Sequence, residues 1–155
     1  MKHPERIELA PGYSISRIIT GLWQVADIEK EDGSMDLGPA ASALVDYAES
    51  GFDTFDMADH YGSAELIAGH ARRKMQENDS ANGPSSQARF HTKWCPKPGE
   101  MTPQKVRDGV LLSAERLDME QIDLMQFHWW NYEHPQYLDA MEGLQALKEE
   151  GIIRH

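Results

Sequence analysis

Asp56, Tyr61, Lys93 and His128 are four ionisable residues at or just beyond the ends of expected strands. The first two lie in GFDTFDMADHYGSAE, the third in RFHTKWCPKP and the fourth in IDLMQFHWW. Together these residue types make a proton-donor site for a carbonyl. Tyr61 is the candidate general acid. A free phenol has a pKa of ~10, and a cationic Lys93 nearby favours the phenolate and lowers that value. Asp56 then pairs with Lys93, keeping it charged and in place. His128 donates to, or orients, the carbonyl oxygen. Negative charge grows on that oxygen as a nucleophile or hydride arrives, so donors there lower the barrier.

Taken singly, each residue also has an ordinary reading. Asp56 can cap the turn that follows it, Tyr61 can be a surface aromatic, and His128 can be a satisfied core histidine. Lys93 says more. A lysine closing the apolar part of a strand, amid Phe90, Trp94 and Cys95, is costly unless paired. Trp23, Trp94, Trp129 and Trp130, three of which follow strand ends, are read as lining an apolar or carbohydrate-like cleft, with plain packing as the equal alternative. His60, His91 and His128 do not suggest a metal, because no HExxH or cysteine set accompanies them. A rival chemistry makes Lys93 a Schiff-base nucleophile of a lyase or aldolase. That needs a neutral amine, which an Asp56 partner opposes.

The elements that must hold these residues follow from punctuation and periodicity. Residues 7–9 and 14–16 flank the turn-like Ala-Pro-Gly at 10–12 and predict a hairpin. RIITGL at 17–22 reads as a first buried strand, and 25–36 as an acidic loop. Leu37, Ala41, Leu44, Val45 and Ala48 recur at helical spacing, with Pro39 in the first turn and Gly51 as the stop. FDTFD at 52–56 is the second strand, and a helix over 63–76 has Ala64, Ile67, Ala68 and Ala71 on its inner side. Residues 77–88 read as a surface insertion. The third strand covers 89–94. Thr102 and Pro103 start a helix with Val106, Val110, Leu111, Ala114 and Leu117 in its stripe. The fourth strand covers 122–127. A last helix over 136–149 turns Leu138, Met141, Leu144 and Leu147 inward, and Ile152 and Ile153 begin another strand.

Strand and helix therefore alternate four times, which requires parallel strands and right-handed crossovers. An open doubly wound sheet and half of an eight-stranded barrel both fit. No GxGxxG or GxxxxGK[ST] loop follows any strand. Chemical residues instead follow strands two, three and four in succession, which is the barrel habit. Half a barrel leaves two parallel edges open. Further sequence after His155, or a second chain, is expected to complete the ring.

The 155 residues suffice for a core, with 40% of them hydrophobic. With 26 acidic and 15 basic residues the net charge is −11, which disfavours a general grip on nucleic acid. Cys95 is the single cysteine, so no internal disulfide forms, and no apolar run is long enough for a membrane span. The N-terminal MKHPERIELAPG lacks a signal-peptide core, and a cytoplasmic protein is expected.

At the chemical residues the chain resembles the aldo-keto reductase superfamily, as its N-terminal half. GFDTFDMADHYGSAE matches the family's second-strand segment at Gly51, Phe52, Asp56, Ala58, Tyr61, Gly62 and Glu65. Thr92 and Lys93 match the end of the next strand, His128 the end of the fourth, and TGLW at 20–23 the opening strand and loop. Met57 departs from the small residue common there, a change of packing more than of chemistry. The resemblance implies a (β/α)8 TIM-type barrel closed at its bottom by the hairpin, of which residues 1–155 supply the first four repeats. It implies NADP(H)-dependent reduction of an aldehyde or ketone, with NAD(H) as the other possible coenzyme and no metal. Tyr61 would protonate the oxygen, Lys93 and Asp56 would tune it, and His128 would orient the small-molecule substrate. Gly21, Leu22, Trp23 and Asp56 would border the nicotinamide, and Trp23, Trp94 and Trp129 the substrate. Most of the family's other coenzyme contacts follow the fourth repeat. The resemblance therefore implies that this half alone turns over poorly, or that it acts through a partner chain without catalysing.

Overall fold

A computed structural model of the chain describes residues 3–26, 36–78 and 87–155. The loop expected over 25–36 and the insertion expected over 77–88 fall mostly outside them. The N-terminal hairpin forms as β1 (Arg6–Ala10) and β2 (Tyr13–Ser16), antiparallel, with Gly12 in the left-handed region at φ +71°. Four strands then build one parallel sheet in sequential order: β3 (Thr20–Gly21), β4 (Thr54–Asp56), β5 (Arg89–Trp94) and β6 (Leu124–Phe127). Each is followed by helical structure. A single 3-10 turn at Trp23–Val25 and then α1 (Leu37–Glu49) follow β3, and α2 (Ala64–Asn78), α3 (Pro103–Leu117) and α4 (Tyr137–Glu149) follow the rest. This is a (β/α)8 barrel taken through its fourth repeat.

Local chemistry explains the boundaries. Asp36 caps α1 by accepting from the Gly38 amide, and Thr102 caps α3 by accepting from the Lys105 amide ahead of Pro103. Asp118 ends α3 in the left-handed region at φ 55°. Ala41, Leu44, Ala64, Ile67, Ala68 and Ala71 bury completely or nearly so against Phe55 and Phe90. A second cluster places Trp94, Val106, Val110, Ile122, Trp129 and Leu147 between the sheet and the last two helices. Gly109 permits that packing, because a Cβ there would strike the Trp94 indole.

Three expectations are corrected. RIITGL is not a buried strand: only Thr20 and Gly21 pair, and Ile18 and Ile19 are exposed at the sheet's outer edge. Leu111 lies on the exposed side of α3, and α4 buries Ala140 and Leu147 while Leu138 and Met141 face outward. No described element packs on the far side of α4, so its apolar face is only partly covered. Beyond α4, Ile153 makes a parallel bridge with Ile122, and the Met125 amide donates to the His155 carbonyl. Residues 152–155 thus lie alongside the β6 segment in parallel. No helix among the described residues is long and apolar enough to cross a membrane.

The hairpin docks under the sheet. Arg6 pairs with Asp53 at 2.5 Å, and the Ser16 amide donates to Thr54 Oγ1. Tyr13 is fully buried, with its hydroxyl 2.8 Å from His91 Nε2. Burial and the Asp123 charge push the Tyr13 phenol well above its ordinary range, so it keeps its proton. Burial pushes His91 down to about 4, with Lys93 and Arg89 adding to the effect and Asp56 opposing it. His91 is therefore a neutral core histidine. In the unfolded chain it would bind a proton below pH ~6.5, whereas the folded protein refuses one until about 4. Stability should then fall as pH drops through that window, by on the order of 2–3 kcal/mol. Chemical unfolding at pH 7 and pH 4, compared with His91→Gln, checks this. The variant should lose correspondingly less, and equal losses would remove His91 as the cause.

Candidate active site

The C-terminal ends of β3, β4, β5 and β6 form one rim. Side chains alternate across these strands. Phe55, Phe90, Thr92 and Trp94 therefore turn to the helices, while Asp56, His91, Lys93 and Gln126 turn to the inner face. Lys93 Nζ donates to Asp56 Oδ2 at 2.5 Å and to the Met57 carbonyl at 2.8 Å. The second oxygen of Asp56 accepts from Gln126 Nε2 at 2.9 Å. Lys93 is only 8% exposed, and a charge so placed needs such partners. Its ammonium lies 5.1 Å from the centre of the Tyr61 ring. Trp23 stands edge-on to the same ring at 4.6 Å, and His60 does so at 4.9 Å. Asp56, Lys93, Tyr61 and Trp23 are thus brought together.

The loop carrying Tyr61 is tied down on both sides. The Asp59 amide donates to the Lys93 carbonyl, and Asp59 Oδ2 accepts from the Cys95 amide at 3.0 Å. Glu65, 1% exposed, accepts from Thr92 Oγ1 at 2.6 Å and from Arg116 at 3.2 Å. The same Arg116 nitrogen donates to the Asp59 carbonyl at 3.1 Å. Glu65 is therefore a clamp between α2, β5 and α3. Met57, the departure from the motif, buries its side chain in the core while its carbonyl holds Lys93.

His128 follows β6, its amide bonded to the Trp94 carbonyl. Its Nδ1 is buried and has no hydrogen-bond partner, and its ring meets Trp130 edge-on at 5.5 Å. Two of the tryptophans are buried. Trp94 is buried under α3, and Trp129 is buried with its Nε1 donating to the Asn131 and His134 carbonyls. Both are packed among the described residues, the role set beside cleft lining as its equal alternative. The indole beside His128 belongs to Trp130. Strand alternation carried past β6 separates it from its neighbour: His128 in, Trp129 out, Trp130 in. Leu22 is fully buried in the core, and its amide donates to the Asp56 carbonyl, so it braces the first loop. Gly21 has open space beside its Cα. Among the described residues, no group of three His, Cys, Asp or Glu side chains is placed to hold a metal.

Residues 17–155 match the model of the aldo/keto reductase family. The chain belongs to that family. Among curated relatives, methylglyoxal reductase DkgA of Escherichia coli O157:H7 is 26% identical over 99% of this chain and 48% of its own length. A chloroplastic pyridoxal reductase of Arabidopsis thaliana is 28% identical over 68% of the chain and 30% of its own length. The chain spans about half the length, or less, of the curated relatives it matches. In structure, a Bombyx mori aldo-keto reductase in complex with NADP superposes with a TM-score of 0.73 at 18% identity, covering 99% of this chain and 50% of that one. The thermostable aldo-keto reductase Tm1743 gives 0.77 at 21% identity over 97% and 52%. Both carry the barrel fold that the four repeats build here.

Proposed function

We propose that this rim is the proton-donor half of a nicotinamide-dependent carbonyl reductase acting on a small aldehyde or ketone. The observation that carries the reading is Lys93. Its ammonium is fixed by Asp56 and the Met57 carbonyl and lies 5.1 Å from the Tyr61 ring centre. Tyr61 gives its proton to the substrate oxygen. Lys93 supplies positive charge beside the phenol, and Asp56, braced by Gln126, holds Lys93 in place. His128 orients the carbonyl. The same two bonds weigh against the Schiff-base alternative, since both acceptors hold the nitrogen away from a carbonyl carbon.

The reactive end of a nicotinamide fits this rim. Trp23 is exposed beside Tyr61, and the space beside Gly21 is open where a flat ring would enter. The coenzyme, when bound, supplies the hydride. The relatives include an NADP-complexed reductase and an NADH-specific methylglyoxal reductase, so NADP(H) and NAD(H) both remain candidates. The remaining repeats, in the same chain or from a complementing one, would hold the rest of the coenzyme.

The test is aldehyde-dependent loss of NADPH or NADH absorbance. It should be seen with a protein containing all eight repeats and be absent from mass-verified residues 1–155. No turnover by the eight-repeat protein with any aldehyde or ketone would reject the reading. Turnover by residues 1–155 alone would reject the need for completion.

A further inference from the structure

The Asp56 carboxylate reaches across a strand. In the sheet β5 lies between β4 and β6, with Asp56 level with His91 and Lys93 level with Gln126. Lys93 holds one Asp56 oxygen, and Gln126 Nε2 on β6 donates to the other at 2.9 Å. An ionised carboxylate only accepts, so the amide must present its NH2 group to it. Lys93 also donates to the Met57 carbonyl, which commits two of its three N–H bonds. Gln126, Asp56, Lys93 and Met57 thus form one chain of bonds over three neighbouring strands. Its working end is the ammonium, 5.1 Å from the Tyr61 ring centre. A carboxylate held at one oxygen can swing about its Cβ–Cγ bond, and one held at both is fixed. His128 follows two residues after Gln126 and alternates to the same inner face.

We propose that Gln126 is a positioning residue for proton donation, acting through Asp56 to fix the Lys93 charge against the Tyr61 phenol. This rests on the carbonyl-reducing reading above. It makes β6 the strand that serves both partners of the carbonyl oxygen: the acid through Gln126 and the orienting imidazole through His128.

The experiment uses the protein containing all eight repeats. Gln126→Met keeps the length of the side chain and removes the donor. It should lower kcat by about 5- to 20-fold, the loss of one hydrogen bond to a charged group felt at second hand, with KM changed by no more than about 2-fold. Gln126→Glu supplies the signature that a packing role would not. Its added carboxyl can donate to Asp56 only while it holds a proton, and the Asp56 charge beside it favours that proton. Once ionised it repels Asp56 or draws Lys93 away. Relative to wild type at each pH, its kcat should therefore be nearly restored at pH 5.5 and fall to the level of Gln126→Met or below by pH 8. The other groups near this position are His91 on β5, which stays neutral down to about 4, His128 on β6, Tyr61 on its loop, and His155, whose ring packs on Tyr13. A second readout needs no turnover. Acetic anhydride labelling followed by mass spectrometry should modify Lys93 at least about 3-fold faster, relative to Lys97, in Gln126→Met than in wild type. A Gln126→Glu activity ratio flat with pH, or a Gln126→Met kcat within about 2-fold of wild type, would overturn the proposal. If the wild type reduces no carbonyl, the carbonyl-reducing reading fails by itself. The labelling ratio then decides whether Gln126 holds Lys93 through Asp56, and an unchanged ratio rejects it.

Discussion

In a protein containing all eight repeats, Tyr61→Phe is expected to lower kcat for carbonyl reduction by about 100- to 10,000-fold, the range spanned by loss of a positioned general acid. The substitution removes one oxygen and little else. The phenyl ring still meets the Trp23 edge, as Tyr61 does at 4.6 Å, and still lies under the Lys93 ammonium, as Tyr61 does at 5.1 Å. Coenzyme affinity and the thermal unfolding midpoint should therefore stay close to those of the wild type. Steady-state kinetics alongside coenzyme titration and calorimetry separate the two possibilities. A variant that keeps kcat within about threefold would remove Tyr61 as the acid, because general acid–base loss is never so small on the scale considered. A variant that loses activity and coenzyme binding together would instead make Tyr61 a structural residue of the rim.

That prediction could be framed from the motif alone, and the reasons show what sequence can and cannot carry. The third repeat was read to the residue, from Arg89–Trp94 to a helix opening at Thr102 and Pro103, because a capping hydroxyl and a proline act within four residues of chain. The pairing of Asp56 with Lys93 was legible for a similar reason: burying a lysine at the end of an apolar strand demands an anion. Failures occurred where burial depends on neighbours far along the chain. Ile18, Ile19, Leu138 and Met141 have the composition of core residues but lie at the two margins of the described structure, where no described element covers them. A hydrophobic period reports which face of a helix is apolar, not what meets it. The tryptophans are a different case. Proximity to strand ends gave Trp94 and Trp129 equal weight with Trp23, whereas the two-residue alternation of strands sends both to the helical side. The Glu65 clamp was also missed. Glu65 was matched as part of a motif, but its partners Thr92 and Arg116 lie 27 and 51 residues away, beyond any local pattern.

Arg116→Leu tests that clamp and should be the most destabilising single change in the site's surroundings. The Glu65 side chain is 2% exposed and would be left with the Thr92 hydroxyl alone. Removing one partner of a buried ion pair costs about 3–5 kcal/mol, since the surviving charge keeps its desolvation penalty. Arg116 is itself partly exposed at 31%, so the lower end of that range is expected. Glu65→Gln should cost less, about 1–2 kcal/mol, because the amide oxygen can still accept from Arg116 while its NH2 donates to the Thr92 hydroxyl. The informative variant is the pair Glu65→Leu with Arg116→Leu. Replacing both members removes the stranded charge and should recover much of the stability lost in Arg116→Leu. It should not recover activity, because the Asp59 carbonyl also loses its Arg116 donor and the loop carrying Tyr61 loses its tie to α3. Denaturant unfolding and kcat/KM measured on the same three variants decide the matter. Stability and activity returning together in the double variant would mean that Arg116 acts only through Glu65. Stability returning alone would make the Arg116–Asp59 bond a device that positions the proton donor.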